Sequence, residues 1–325
     1  MGRMKSAAVA VIGMLAFCET PLTARHAVEV SPHVVEEQII ESQILPHELL
    51  LDAKRLLRDG ELKKTIQICR LIARKFPQTQ ESPAALEICG EAYMRQRRFQ
   101  LAFTTLQKLL NKYPNCPNFE NAIALEFELA QRLAGGERNY FFGKIPGLRD
   151  REFAIRVFQH IVDHAPYSPQ APHALQQIAT LGIKTKDLAV AIGALERLID
   201  EYSATEDAQR AYLILAQVYR GMSPGSTYDQ RAVENAINCL REFLLLYGNS
   251  SFAEEAERGL SEMKDLLAEN KLSVGDFYLR NRKSPSAAAI YYNDIVAEAP
   301  DSPAALCAQE RLNIIRDMAL TGYKN

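Results

Sequence analysis

Apolar residues recur along this chain in a cadence of two stripes separated by a short polar break. Within residues 86–114 the first stripe falls at i, i+3, i+4 and i+7, which predicts one face of a helix, and its members are Leu86, Cys89, Gly90 and Tyr93. The second stripe predicts another helix that ends before Pro114, and its members are Phe99, Ala102, Leu106 and Leu109. The small residues Gly90 and Ala102 predict that the two antiparallel helices approach closely.

The same cadence returns six times. A small residue is followed twelve positions later by Pro, Ser or Gly at Thr65/Pro77, Ala102/Pro114, Ala154/Pro166, Ala191/Ser203, Ala236/Gly248 and Ala288/Pro300. This spacing resembles the tetratricopeptide repeat, a helix–turn–helix unit of about 34 residues. The sequence therefore predicts an all-α fold: a tetratricopeptide-type helix-pair solenoid of about six repeats, closed by a capping helix over 303–320.

The N-terminus has the pattern of an export signal. Arg3 and Lys5 precede an apolar run over 7–17, which is too short to span a bilayer and is typical of a secretory signal. The run ends at Cys18, and residues 15–18 resemble a bacterial lipobox, which implies that Cys18 is acylated. Phe17 departs from the small residue that a lipobox has before its Cys. The alternatives are cleavage by the ordinary signal peptidase and an uncleaved anchor.

The remaining chain divides into three parts. After the signal peptide over 1–18, residues 19–46 are expected to form a tether, 47–206 the N-terminal repeats, and 207–325 the C-terminal repeats, with a long helix over 252–280 that carries Val274, Gly275 and Tyr278 in register. An insertion over 135–150 interrupts the third repeat with glycines and presents Tyr140, Phe141 and Phe142. Those aromatic residues are interpreted either as a binding loop or as a cover that folds back on an apolar seam.

Charge and cysteine content narrow the function. The net charge of −2 and the mixed distribution of charges give no footprint for nucleic acid. The cysteines form no CxxC pair and have no zinc-like spacing, and Cys69, Cys89 and Cys239 fall on apolar stripes, which predicts buried thiols. Disulfides between neighbouring repeats stay open as an alternative.

Catalytic motifs are missing from the sequence. His160 and His164 are i, i+4 on one helix, but the residues between them do not give HExxH, and a zinc site needs a third ligand. We expect two partly exposed histidines there and acidic residues on solvent-facing positions. The prediction is a protein without catalytic residues, metal or cofactor.

Residues 228–303 are similar to the BamD family, the tetratricopeptide lipoproteins of the machinery that inserts β-barrels into the bacterial outer membrane. The residues that carry the resemblance are Asp229 and Gln230 before a helix, the turn over 247–256 and the helix over 264–281. The resemblance implies a periplasmic scaffold on the outer membrane. It would bind the barrel-forming assembly protein, accessory lipoproteins and extended segments of unfolded outer-membrane proteins.

Four residues follow from that resemblance as partner-binding candidates: Asp229, Gln230, Tyr278 and Arg280. Each also has a structural interpretation, because Asp229 is placed to cap a helix, Tyr278 to fill the repeat core and Arg280 to remain a solvated charge. For Tyr278 the core interpretation is favoured.

Two other functions fit the repeat pattern. A periplasmic repeat scaffold for cell-envelope constriction or peptidoglycan synthesis shares the loops but does not need the long helix over 252–280. An envelope enzyme whose catalytic domain lies on another chain is the third interpretation, and activity that depends on His160 or His164 would favour it.

Overall fold

The computed structural model describes residues 45–141, 145–222 and 230–322. These residues form thirteen α-helices and one two-stranded antiparallel hairpin, in which Tyr140 pairs with Pro146 and Phe141 with Ile145. In chain order the elements are α1 Pro46–Arg58, α2 Leu62–Lys75, α3 Glu81–Arg95, α4 Phe99–Lys112, α5 Phe119–Ala134, β1 Tyr140–Phe141, β2 Ile145–Pro146, α6 Arg151–His164, α7 Gln170–Thr185, α8 Leu188–Glu201, α9 Glu206–Gly221, α10 Gln230–Tyr247, α11 Ala253–Arg280, α12 Pro285–Glu298 and α13 Pro303–Gly322.

The helices pack as six consecutive pairs, α1–α2 to α11–α12, followed by α13. Each helix packs against the next along the chain, and the first helices of neighbouring pairs also contact one another at most steps of the series. This arrangement confirms the predicted all-α solenoid of tetratricopeptide type, in which each unit buries its apolar face on its neighbours.

The small residue of each second helix lies at the centre of the packing. All six have 0% exposure: Thr65, Ala102, Ala154, Ala191, Ala236 and Ala288. The first helix is equally restricted, since a Cβ added at Gly90 would come within 2.8 Å of Leu106 Cδ2. Because neither helix carries bulk at the crossing, the flanking apolar side chains interdigitate and are themselves buried.

Tyrosines at the ends of three second helices tie each repeat to the one before it. The hydroxyl of Tyr113 donates to the Pro77 carbonyl at 2.7 Å, and that of Tyr202 donates to the Pro166 carbonyl at 2.6 Å. Tyr247 donates to the Ser203 carbonyl at 2.8 Å. The acceptors are the same residues that end the preceding second helix in the sequence cadence, so the cadence also fixes these contacts between repeats.

The long helix α11 is only partly covered. It has 28 residues, whereas its preceding partner α10 has 18. At 1.5 Å per residue, α11 is therefore about 15 Å longer than the helix beside it. Val274, which the sequence places on the buried stripe of the sixth repeat, is 37% exposed for this reason, while Gly275 is buried.

One ionisable pair lies inside the third repeat. The Glu126 side chain is fully buried, and its Oε2 lies 2.9 Å from Nδ1 of His160, whose side chain is only 10% exposed. His160 also meets the ring of Phe103 edge-on and stacks on His164. The expectation of acidic residues on solvent-facing positions is therefore wrong for Glu126. Of the two histidines expected to be partly exposed, His160 has intermediate burial and His164 is exposed.

Burial raises the pKa of Glu126, and the hydrogen bond and charge of His160 oppose that rise. The other carboxylate oxygen, Oε1, has no hydrogen-bond partner among the residues that the structure describes. Because a buried carboxylate is costly to ionise, the pair contributes to a pH dependence of stability.

A first prediction concerns the helix crossings. A Cβ at Gly182 would lie 2.8 Å from Ala191 N and 2.9 Å from Asp187 O, which are backbone atoms that cannot rotate away. We expect Gly182→Ala to lower the free energy of unfolding by about 1–3 kcal/mol through overpacking. Gly193→Ala is the matched control in the adjacent helix, since no atom lies within 4 Å of its added Cβ. It should raise the free energy of unfolding by roughly 0.5–1 kcal/mol. Equal effects of the two changes in denaturant unfolding would contradict the close approach.

A second prediction concerns Glu126. A carboxyl whose folded pKa is raised stabilises the folded state below its unfolded pKa, and this contribution is lost as pH rises through the folded pKa. The free energy of unfolding of the wild type minus that of Glu126→Gln should therefore fall with rising pH, by at most about 1.4 kcal/mol per pH unit. Glu128→Gln removes an exposed carboxylate from the same helix and is the matched control. Parallel curves for wild type and Glu126→Gln would refute the effect of burial.

Candidate partner-binding surfaces

The first helices of the repeats form one face of the array. Each first helix from α1 to α7 contacts the first helix of the next repeat, up to α9, and α11 contacts α13 in the same way. Within the described residues no comparable contacts join successive second helices, or α9 to α11. The row of first helices therefore opens between the fifth and sixth repeats, where a single ion pair, Arg220 to Glu262 at 2.8 Å, bridges α9 and α11.

A groove of about 260 Å³ lies at this opening, and we call it the inner groove. Its floor is apolar, and it consists of the buried residues Leu213, Ala216, Leu240 and Met263 together with the partly buried Gly259. Its walls carry both signs of charge, with Arg220 and Arg258 facing Glu255 and Glu262. An apolar floor between charged walls is the usual composition of a surface that binds a protein segment.

A second groove, the outer groove, lies between the second helices α10 and α12, with α11 contributing to its base. It measures about 300 Å³, and its apolar residues are Ile237, Leu267, Ala268, Ile295 and Ala299. Three basic residues line it, Arg241, Lys264 and Lys271, together with Glu234 and Glu298. Lys271 Nζ is paired with Glu298 at 2.6 Å. The other charged side chains along the walls are Glu234, Arg241 and Lys264.

Helix α11 lines both grooves, and Gly275 sets its distance from α12. A Cβ at Gly259 would reach 3.4 Å from Leu240 of α10, and one at Gly275 would come within 2.6 Å of the Tyr292 ring of α12. The Tyr292 hydroxyl donates to Asp276 Oδ1 at 2.7 Å, and burial together with that carboxylate raises the pKa of Tyr292. The C-terminal half of α11 is thus held closely against α12.

Two of the predicted partner-binding residues lie at the C-terminal end of α11. Tyr278 is half-buried against the core of the last repeat and stacks on Tyr291, with ring centroids 5.6 Å apart. Arg280 is exposed and pairs with Asp276 at 3.1 Å. Tyr278 therefore lies against the core and Arg280 is a solvated charge, as their structural interpretations expect. Neither residue lines the inner or the outer groove.

The remaining candidates lie on other elements or outside the described residues. Gln230 is exposed at the first residue of α10, where its Nε2 donates to Glu234 Oε1 at 2.9 Å. Asp229, Phe142 and Cys18 lie outside the described residues. Among the described candidates, Tyr278 and Arg280 thus share one helix, and Gln230 begins the preceding one.

The insertion in the third repeat packs on the second repeat. The Tyr140 amide donates to the Arg97 carbonyl at 2.8 Å, and the Arg97 guanidinium lies 5.8 Å from the Tyr140 ring centroid. Arg97 is in the turn between α3 and α4 and has a left-handed φ of 56°. Tyr140 thus folds back on the array, as one interpretation of the insertion expects, whereas Ile145 and Leu148 are 60% and 89% exposed. The backbone of Phe141 pairs in the hairpin.

Sequence reasoning did not identify the groove residues. The charged walls, among them Arg220, Arg258 and Lys264, occupy ordinary solvent positions of amphipathic helices, so no motif distinguishes them. A usable signal was the unusual length of the helix over 252–280, because a helix that long cannot keep the same contacts with its neighbours as a helix of half its length.

The described residues offer little for catalysis or for a metal. They contain no group of three His, Cys, Asp or Glu side chains that could hold a metal ion. Their cysteines, Cys69, Cys89, Cys116, Cys239 and Cys307, are free thiols, and burial raises the pKa of Cys89 and Cys239 to about 12. Thiols with a raised pKa are poor nucleophiles. Among the helices of the described residues, none has the length and apolar character to cross a membrane.

Two solved repeat proteins align with part of this chain. A tetratricopeptide repeat protein from Parabacteroides merdae is 15% identical, over 83% of this chain and 98% of that one, with a TM-score of 0.32. MamA from Desulfovibrio magneticus is 15% identical, over 63% of this chain and 97% of that one, also with a TM-score of 0.32.

Curated relatives share a single name, outer membrane protein assembly factor BamD. The protein from Caulobacter vibrioides is 27% identical over 134 residues, which are 41% of this chain and 44% of the relative. That from Xylella fastidiosa is 25% identical over 161 residues, 45% of this chain and 53% of the relative. That from Vibrio cholerae is 26% identical over 179 residues, 52% of this chain and 74% of the relative. The chain spans about half the length of the first two.

Two family models match the sequence. A tetratricopeptide repeat model matches residues 85–115, which contain α4 and most of α3. The model described as outer membrane lipoprotein, YfiO, matches residues 148–321, from just before α6 to α13, and this range contains both grooves. Since that match covers more than half of the sequence, the chain belongs to the YfiO family of outer membrane lipoproteins.

Proposed function

We propose that this protein is a non-catalytic scaffold of outer-membrane protein assembly, which acts by holding other proteins. The observation that carries the proposal is the position of the two grooves. Both lie within residues 148–321, the part of the chain that matches the outer membrane lipoprotein family. The relatives that match the chain are named as assembly factors of outer membrane proteins, and grooves that bind proteins fit such a role.

The two grooves suit protein partners. In each, a buried apolar floor supplies contact area, and charged walls set the register and orientation of the bound segment. We propose that the barrel-forming assembly protein and accessory lipoproteins bind the C-terminal repeats, with the inner groove as the primary contact. The first helices of the N-terminal repeats form a continuous face, and we propose that this face receives extended segments of unfolded outer-membrane proteins.

The place of action follows from the same proposal. Acylation of Cys18 would hold the chain at the periplasmic face of the outer membrane. A single acyl chain gives only marginal binding, at about 0.8 kcal/mol per buried CH₂, so a lipoprotein with two or more chains, or with a second membrane contact, is held far more firmly.

The inner groove gives a direct test of the scaffold role. Arg220→Glu combined with Arg258→Glu turns a wall of mixed charge into a wholly acidic one while leaving the buried floor intact. We expect affinity capture of the chain from detergent-solubilised membranes to recover the barrel-forming assembly protein with the wild type, and roughly ten-fold less of it with the double variant. The melting temperature should be unchanged, because both side chains are exposed.

The matched control is Arg282→Glu combined with Arg316→Glu, which makes the same charge change away from either groove. It should recover the assembly protein like the wild type. A Cys18→Ala arm tests the anchor separately, since it should abolish labelling by a palmitate analogue without affecting the grooves. Equal recovery with the groove variant, or recovery of wall synthases in place of the assembly protein, would refute the proposed role.

A further inference from the structure

The second helices of the first two repeats carry positive charge and no negative charge. In α2 the basic residues are Lys63, Lys64, Arg70, Arg74 and Lys75, and in α4 they are Lys108 and Lys112. Neither helix contains an Asp or a Glu. The acidic residues of these two repeats lie on α1, on α3 and in the turn between α1 and α2.

This charge is confined to the N-terminal end of the row of second helices. Basic and acidic side chains balance in α6 and α10, whereas acidic ones are in excess in α8. In α12 the charged side chains are Asp294 and Glu298, with no Lys or Arg. The formal charge of a second helix thus falls from +5 in α2 to −2 in α12. An ordinary solvated helix face mixes both signs of charge, so the two ends of the row are distinct surfaces.

The basic side chains of α2 and α4 are arranged as two parallel stripes. Lys63, Arg70 and Arg74 are exposed at i, i+7 and i+11 on α2, and Lys108 and Lys112 are exposed four residues apart on α4. Helix α3 packs between the two helices. Arg70 and Lys108 both act to lower the pKa of the same thiol, that of Cys89 on α3, although burial raises that pKa overall. The two stripes therefore flank α3 on one side of the molecule.

Three of these lysines have no carboxylate partner in the part of the chain that the structure describes. Lys64 pairs with Glu61 at 3.4 Å, and the Arg70 guanidinium interacts with Tyr93. In the described part of the chain, Lys63, Lys75 and Lys108 form no ion pair with a carboxylate. Exposed lysines that have no ion pair among the described residues raise the local potential and attract anions.

We propose that the basic face, defined by Lys63, Arg70, Arg74, Lys75, Lys108 and Lys112, binds the anionic headgroups of a phospholipid membrane. Long, flexible lysine and arginine side chains spread over two helices suit a fluid layer of phosphates, which has no fixed geometry to match. The face lies outside residues 148–321, the range that matches the family. It would therefore be a membrane contact in addition to the protein contacts proposed for that range.

The family identity favours a membrane over an acidic protein as the partner. The chain belongs to a family of outer membrane lipoproteins, so an anionic lipid surface is close to it whether or not Cys18 is acylated. The charge difference along the row also has a consequence for orientation. The basic N-terminal repeats are drawn to such a surface, and the acidic second helices α8 and α12 are repelled from it.

The test uses the chain from Glu19 onward, which omits the apolar run over 7–17 and keeps the compact unit that begins at Leu45. Its co-flotation is measured with vesicles of phosphatidylcholine alone and of phosphatidylcholine with phosphatidylglycerol. We expect binding to the anionic vesicles at low salt and its loss at high salt. The triple variant Lys63→Glu, Lys75→Glu, Lys108→Glu should bind about 100-fold more weakly, at about 1 kcal/mol for each basic residue lost.

The matched control makes the same charge change elsewhere, as Lys184→Glu, Arg282→Glu and Arg316→Glu, and should bind anionic vesicles within about two-fold of the wild type. Equal losses in the two triple variants would show a dependence on net charge alone and would overturn the proposal. Unchanged vesicle binding by the first variant would overturn it too. If light scattering then showed that the wild type self-associates in a salt-sensitive way and the first variant does not, the partner of the basic face would be an acidic protein surface. The assay contains no assembly protein, so its outcome is independent of the scaffold role.

Discussion

The fold depends on the absence of side-chain bulk at one position of each second helix. Six small residues, from Thr65 to Ala288, are fully buried where the helices of a pair cross. With a larger side chain there, the pair would separate and the apolar stripes on either side would lose contact. Because each pair buries apolar surface only on its neighbours, the six crossings together hold the series, and no central core is available to compensate for one that fails.

The long helix α11 follows the same packing rule and yet interrupts the series. Gly275 lets it approach α12 as closely as the helices of a regular pair. Its 28 residues, however, exceed what one neighbour can cover, and the row of first helices opens beside it. The inner groove occupies this opening, and the outer groove lies across the same helix between α10 and α12. A length difference of one helix therefore produces the concave surfaces that the proposed scaffold uses.

The sequence predicted the fold well and the site poorly, for a physical reason. Helix pairs are encoded locally, by apolar spacing and by small residues such as Ala102, and a reader of the sequence can recognise both. Groove walls such as Arg220 and Lys264 are defined by which helices come near each other, and that depends on contacts between residues far apart in sequence. Glu126 was missed similarly, because only the folded structure places it inside the repeat against His160. Tyr278 was correctly interpreted as core because its position in the repeat template already implied burial.

The central claim is that the protein assists assembly of outer-membrane proteins by binding rather than by chemistry. The most direct measurement is the amount of folded β-barrel protein in the outer membrane of cells depleted of the chain and complemented with defined variants. The account predicts that barrel levels fall on depletion, that the wild type restores them, and that a chain with both histidines replaced, His160→Gln with His164→Gln, restores them if it folds. Barrel levels that stay normal on depletion while cell constriction or wall synthesis fails would contradict the account.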